Sequence, residues 1–371
     1  MTTMTKPLRT EPQKRLHSLD ALRGFDMFWI TGGGALAVAI SQLTGIEWLE
    51  TQMQHVKWEG FHFEDLIFPL FMFISGVAIP FSVQTKLEKN VPSRKLLAKT
   101  FKRLIVLITL GILYNGTFRN GFNDGRIASV LGQIGTAYFF AAVIVIYFRS
   151  FRSRLIWLGG ILTGIGIIQL LIPVPGVGAG VLTPEGCING YIDRLFLPGR
   201  LHGGVFDPEG ILCSLSAAGI TLMGAVAGNI LRHGKSSNWQ KLGYLSAAGV
   251  SGIILALVLS PFYPIIKSCW TSTFNLLTGG ISFLLLALFY LIIDHWGYHR
   301  WAFYFRVIGM NSIFVYLFVR IVDVTRISEF FLGWLAKPMG DNGALLLLVG
   351  KLLIIWLLLY YMFKKKIFLR V

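Results

Sequence analysis

His55 stands in H-V-K-W-E-G (55–60), ten residues ahead of Asp65, which opens the apolar run D-L-I-F-P-L-F-M-F-I-S-G (65–76). An imidazole takes and returns a proton near neutral pH. A carboxylate at the entrance to that run would orient the ring or raise its basicity, so the pair reads as a candidate catalytic base. The plain alternative is an interfacial His and Asp that cap a membrane helix. The residues alone leave both readings open. His62 lies nearby in less distinctive surroundings.

Three further clusters carry polar chemistry. Asp193 and Arg194 in G-Y-I-D-R, with Asp207 and Glu209 in D-P-E-G, place four ionisable groups in one stretch suited to a hydroxyl-rich or amino-bearing acceptor. The bland reading is a loop ion pair, with Asp207 as N-cap, Pro208 at the first helical position and Glu209 in the first turn. Asn311 and Ser312 in G-M-N-S-I lie inside an apolar segment. Polar groups at membrane depth usually face the bundle interior or a cavity, or join helices. Arg23 and Arg103 fall at the inner ends of two apolar segments and together can bind phosphates; for each alone, simple anchoring at the membrane surface is the preferred reading. Gly32, Gly33 and Gly34 lack the G-K-[ST] of a phosphate-binding loop.

What must position these residues is set by composition. The chain has 371 residues, 54% hydrophobic and only 14% charged. A soluble domain carries about 25% charged residues, so a soluble enzyme is excluded. With 29 Phe, 12 Tyr and 10 Trp, disorder is excluded too. Ten apolar segments run near 24–43, 65–84, 104–118, 128–148, 155–173, 210–231, 242–260, 273–293, 303–321 and 343–363. Each approaches the roughly 20 residues a helix needs to span a bilayer, and unpaired backbone in lipid is costly. The expectation is an all-α polytopic membrane protein of about ten transmembrane helices.

The net charge of +16 reflects basic loops rather than nucleic-acid binding. With the N-terminus inside, 22 of the 34 Lys and Arg fall on inner segments and 8 on outer loops. That bias predicts both termini in the cytoplasm. A polar tail (1–19), with no apolar signal-peptide core, precedes a single membrane domain (20–371). Two outer loops, near 44–64 and 174–209, are long enough to be functional. Cys187, Cys213 and Cys269 form no C-x-x-C. No metal site is expected, and Cys187 with Cys269 is the pair placed to close a disulfide outside the membrane.

The order of the motifs carries more than any one of them. S-L-D-A-L-R-G-F-D (18–26), H-x-x-W-x-G-x-x-x-x-D-L-I-F-P-L-F-M-F-I-x-G (55–76), G-Y-I-D-R (190–194), D-P-E-G-I-L (207–212), G-M-N-S-I (309–313) and K-K-K-I-F (364–368) run in sequence along the chain. The string resembles the transmembrane domain of the heparan-α-glucosaminide N-acetyltransferase family, in its bacterial branch. The resemblance implies transfer of acetyl from cytoplasmic acetyl-CoA to an amino sugar or glycan on the far side of a bacterial inner membrane. It makes His55 the catalytic residue, as nucleophile or base. Where the family has Asn before the glycine run, this chain has Ile30-Thr31. Where it has Gln-Arg in the fourth span, this chain has Gly132-Gln133. A membrane transporter, or transport accessory, for N-acetylglucosamine is the alternative, and a homodimer is left open. The enzyme reading expects His55 beside a cavity that continues toward the cytoplasm, with Asp65 or Asn311 in reach.

Overall fold

The computed structural model describes residues 16–117 and 125–369. The N-terminal tail through Arg15, Arg119 and Arg370 lie outside the described residues. Among the described residues every regular element is a helix, apart from three isolated bridges between loops. This is the all-α polytopic architecture that composition demanded.

The first span joins α1 (His17–Phe28) to α2 (Gly34–Thr44) across a break at Gly32, where φ is 154°. Only glycine holds that conformation without strain. A short α3 (Glu47–Gln52) follows, then α4 (Glu64–Glu88), α5 (Ser93–Tyr114), α6 (Val130–Tyr147) and α7 (Phe151–Leu171). The long loop after α7 contains α8 (Ile188–Phe196). Then come α9 (Ile211–Arg232), α10 (Asn238–Leu259) and α11 (Ser272–His295). The chain closes with α12 (Phe303–Gly309), α13 (Ser312–Ile321), α14 (Val324–Ala336) and α15 (Asp341–Lys364).

Among the described residues eight helices are long and apolar enough to cross a bilayer, and α12 with α13, bent by 75°, make a ninth if counted as one span. The tenth expected segment, near 104–118, falls on α5. That helix reaches back to Ser93, so Arg94, Lys95, Lys99, Lys102 and Arg103 occupy its first half and dilute its apolar character. The sequence pattern showed no sign of α14. Its Phe330 and Trp334 are exposed, the placement expected of aromatic residues at a membrane surface.

The buried centre of the bundle is α9, flanked by α4, α6, α7 and α11. It packs on α4 backbone to backbone. A Cβ on Gly76 would sit 1.9 Å from the Thr221 carbonyl oxygen, and one on Gly224 would sit 2.0 Å from that of Phe73. In lipid there is little hydrophobic force between helices, so such close approach supplies the dispersion contact that holds them together. The same device joins α1 to α12 through Gly24 and Gly309. By contrast α7 and α10 expose most of their apolar length. The C-terminal tail folds back on the α12–α13 break: Asn311 Nδ2 donates to the Ile367 carbonyl (3.1 Å), and Leu369 N donates to Asn311 Oδ1 (3.0 Å).

Candidate active site

At one end of the bundle three loops meet. Trp58 anchors the loop before α4: its Nε1 donates to the Leu182 carbonyl (2.7 Å), and its ring packs edge-on against Phe206 with centroids 5.0 Å apart. Gly60 N donates to the Ile265 carbonyl (2.9 Å), and Glu59 pairs with Ile266. This stitches the His55 loop both to the long loop around α8 and to the α10–α11 loop. The second contact delivers Lys267.

The result is a three-residue cluster. His55 Nδ1 lies 2.9 Å from Asp65 Oδ1, and Lys267 Nζ lies 3.1 Å from the same oxygen and 3.0 Å from Nδ1. Asp65 is nearly inaccessible while the His55 side chain is 59% exposed. His62 N (3.1 Å) and Val56 N (3.4 Å) occupy the other carboxylate oxygen. An ionised carboxylate only accepts. Nδ1 donates to Asp65 in one tautomer, which leaves the lone pair on Nε2, or accepts from Lys267 in the other. Asp65 and Lys267 form an ion pair beside the ring.

The second outer cluster is closed. Arg126 donates to Asp207 from Nε (2.8 Å) and Nη2 (2.6 Å), and its Nη2 also bonds Glu209. His202 N and Glu209 N complete the Asp207 shell, each at 3.0 Å. Burial alone would raise the Asp207 carboxyl, but the Arg126 guanidinium outweighs it and holds the group below its usual range. Glu209 is pushed up to about 7, chiefly by burial. Asp193, buried, accepts from Ile211 N (3.0 Å) and Asp207 N (3.3 Å), and burial raises it to about 6. Arg194 does not pair with it. Its Nη1 donates to the Val205 carbonyl (2.6 Å).

The local fold differs from the helix start that D-P-E-G predicts. Helix α9 begins at Ile211 with Gly210 as its N-cap, and Gly210 has no side chain to cap with. Asp193, from another helix, supplies the missing acceptor. Gly210 is required there because a Cβ would meet the Asp193 carboxylate at 2.1 Å. Asp207 instead receives Arg126. Gln133, at the position of the family's Arg, donates from Nε2 to the Pro208 carbonyl (3.4 Å), so the cation beside Asp207 and Glu209 comes from Arg126. Thr31 is turned back on its own helix, with Oγ1 donating to the Met27 carbonyl (2.9 Å).

The other end of the bundle holds a cavity of about 310 Å³. Arg23, Arg103 and Ser312 line it together, so three residues picked from separate motifs converge. The Arg103 guanidinium lies 4.0 Å over the Tyr138 ring, and its Nε is buried without a partner. That unused donor suits a phosphate-bearing ligand. A much smaller void of about 20 Å³ shares Phe71, Ser312 and Ile313 with the cavity and reaches Ile30 and Tyr316. His55 lines neither, so neither is the cavity expected to run from His55 toward the cytoplasm, and its side chain is largely exposed. Next to Ile30, the Trp29 ring packs on Phe63 at 5.0 Å, beside Glu64 and Asp65. Asn311, held by the C-terminal tail, is directed away from His55, and Asp65 is the partner within reach.

Two participants escaped sequence reading. Lys267 lies 212 positions from His55, in a loop with no distinctive motif. Arg126 was visible only as one more outer-loop cation. The cysteines are free thiols, but Cys187 and Cys269 lie together in one buried cluster with Ile266, under Trp58 and Phe206. A hydrogen bond to Cys269 draws the Cys187 thiol down to about 7. Among the described residues no three His, Cys, Asp or Glu side chains gather to hold a metal ion.

Residues 15–196 match the family model "Heparan-alpha-glucosaminide N-acetyltransferase, catalytic". The chain is 28% identical to the mouse heparan-alpha-glucosaminide N-acetyltransferase over 97% of its own length and 61% of the relative's. For the human protein of that name the identity is again 28%, over 95% of this chain and 59% of the relative. The chain therefore spans about three fifths of the length of the curated relatives it matches.

Proposed function

We propose that the chain, whose residues 15–196 match the heparan-alpha-glucosaminide N-acetyltransferase family model, moves an acetyl group across a membrane, from acetyl-CoA to an amino sugar or glycan. The observation that carries the reading is the His55–Asp65–Lys267 cluster, assembled from loops far apart in sequence. The donor enters where Arg23 and Arg103 face the cavity, and their guanidiniums pair with its phosphates. The excess of Lys and Arg on that side makes it the cytoplasmic face. The bacterial inner membrane fits that orientation, and the acceptor side then faces the periplasm.

Acetyl transfer requires a neutral amine, because an ammonium has no lone pair to attack the thioester carbonyl. His55 Nε2 takes the amine proton, the nitrogen attacks, the C–S bond breaks and CoA leaves as thiol or thiolate. In the covalent variant Nε2 itself attacks first, and the amine displaces the acetyl group from the imidazole. Asp65 has the same task in both: it keeps Nδ1 protonated and supports the developing imidazolium. Asp193, Asp207 and Glu209 shape the acceptor side by holding the loop that faces His55, with Arg194 on its exposed edge.

A second reading has its own observation. The first span is broken at Gly32 and the ninth bends by 75°, and interrupted helices in both halves are a mark of transporters. One experiment separates the two. Purified protein in liposomes, with acetyl-CoA on one side and glucosamine on the other, is expected to release CoA and form N-acetylglucosamine, and His55→Ala to stop both. Uptake of labelled N-acetylglucosamine with no CoA release would make the protein a transporter.

A further inference from the structure

A second cavity, of about 900 Å³, has no part in this chemistry. It lies where the ends of α4 and α9 meet the starts of α7 and α10, and it shares no lining residue with the Arg23–Arg103 cavity. Arg149, Arg154, Arg232 and His233 line it, with Glu88 as the acidic member. Glu88 is already committed, gripped by both terminal nitrogens of Arg232. Arg154 is 2% exposed, and its hydrogen bonds go to neutral oxygens: the Phe148 carbonyl (3.2 Å) and Gln84 Oε1 (3.0 Å). Arg232 Nε is buried with no partner. Glu88 is thus the one carboxylate lining the cavity for two guanidiniums, Arg154 and Arg232, and the charge left over is costly to enclose unless an anion completes it.

The wall also has apolar stretches, including Leu155, Val226, Ile230 and Ala248, beside the neutral polar Gln84, Asn229 and Ser236. Tyr244 lines the cavity and is exposed, and Tyr147 and Trp239 nearby are exposed as well. Tyr and Trp so placed mark the level of the membrane–water interface. The flanking helices α7 and α10 turn apolar faces outward. A ligand that suits this site has an anionic head for the arginines and a hydrocarbon body for the wall. We propose that the cavity is a binding site for the phosphodiester headgroup of an anionic membrane lipid, with Arg154 and Arg232 as the pairing groups and Arg149 at the rim. The shared chemistry is a phosphate; the apolar wall and the interfacial aromatics favour a lipid as its source over a soluble anion.

The test is thermal unfolding of the purified protein in detergent with dioctanoyl phosphatidylglycerol, dioctanoyl phosphatidylcholine, inorganic phosphate or CoA. The glycerol lipid is expected to raise the midpoint saturably while phosphatidylcholine and inorganic phosphate at equal concentration do not. The double variant Arg154→Gln/Arg232→Gln is expected to bind it about 30-fold more weakly, and Lys235→Gln, outside the cavity, to bind normally. Should the double variant not fold, Arg149→Gln is expected to weaken binding severalfold. Native mass spectrometry of the unaltered protein from mixed bilayers is likewise expected to retain phosphatidylglycerol in excess over phosphatidylcholine. Equal retention of the two lipids, or unchanged binding by the arginine variants, overturns the proposal. A matching shift from inorganic phosphate reassigns the cavity to a soluble anion, and displacement of the lipid by CoA reassigns it to the acyl donor; either result also overturns it.

Discussion

Asp207, at the His55 end of the bundle, accepts four hydrogen bonds: two from Arg126 and one each from the His202 and Glu209 amides. Arg103, at the opposite end, rests on a tyrosine ring and keeps its Nε without a partner, facing a cavity. Asp207 lies in the loop just before α9, and Arg103 lies midway along α5. One is sealed into the protein, the other is left with capacity for something that arrives. Charge held for architecture is paired from several directions, whereas charge held for a ligand is buried with donors unspent. His55 stands between these cases. Its Nδ1 side is fully engaged by Asp65 and Lys267, while the ring itself is mostly exposed.

The largest expected effect tests that intermediate position. His55→Ala should lower acetyl transfer by about 10²–10⁴ if the ring is a general base, and further if it carries the acetyl group, without loss of folded protein by size-exclusion chromatography. Asp65→Asn should cost less and move the pH–rate profile, because the ring loses the carboxylate that supports its charged form. Full turnover by His55→Ala would remove the contrast between the exposed ring and its buried support.

Next comes the sealed charge. Arg126→Gln leaves Asp207 buried with backbone donors alone. Breaking a buried pair by removing one partner costs about 3–5 kcal/mol, so the variant should unfold at a clearly lower temperature in detergent. Arg103→Gln should behave in the opposite manner. Its unfolding temperature should stay near that of the parent protein, while KM for acetyl-CoA rises about tenfold, the worth of one charge-assisted hydrogen bond. A large loss of stability in Arg103→Gln with unchanged KM would erase the distinction between the two ends.

The smallest effect is a pH dependence confined to the sealed end. Burial raises Glu209 to about 7 and Asp193 to about 6. The folded protein therefore binds more protons than the unfolded chain between about pH 4 and 7, and stability falls as pH rises through that window. Asp207, lowered by Arg126, acts in the other direction and only at more acid pH. Glu209→Gln should flatten most of the decline between pH 5 and 7, measured as unfolding temperature, with the Asp193 share remaining. An identical slope in the variant would place the titration elsewhere.

Much of this protein follows from sequence because lipid restricts the choices. Backbone in hydrocarbon must satisfy itself, so a long apolar run is a helix, and its position is legible to within a turn. That logic placed the apolar segments on helices and singled out Arg23, Arg103 and Ser312, which line one cavity, without saying that they would meet. It also placed His55 and Asp65 at one helix entrance, because they are local in sequence. The segment near 104–118 is the apolar half of a longer helix, α5, whose first half is basic, and α14 is too short for the bilayer period to reveal.

What only the tertiary structure decided are the partners. Lys267 joins Asp65 because Gly60 and Glu59 pair with Ile265 and Ile266, a contact between two loops that carry no periodic signal. Arg126 neutralises Asp207, and Asp193 rather than Asp207 caps α9, because α8 lies against the start of that helix. Asn311 serves the C-terminal tail rather than His55, since the chain folds back on the α12–α13 break. Hydropathy reports whether a segment meets lipid or water, and every residue along it answers that question locally. Pairing between loops depends on angstrom-scale approach of side chains that are tens to hundreds of residues apart, and nothing in a segment's own composition records which distant group will arrive.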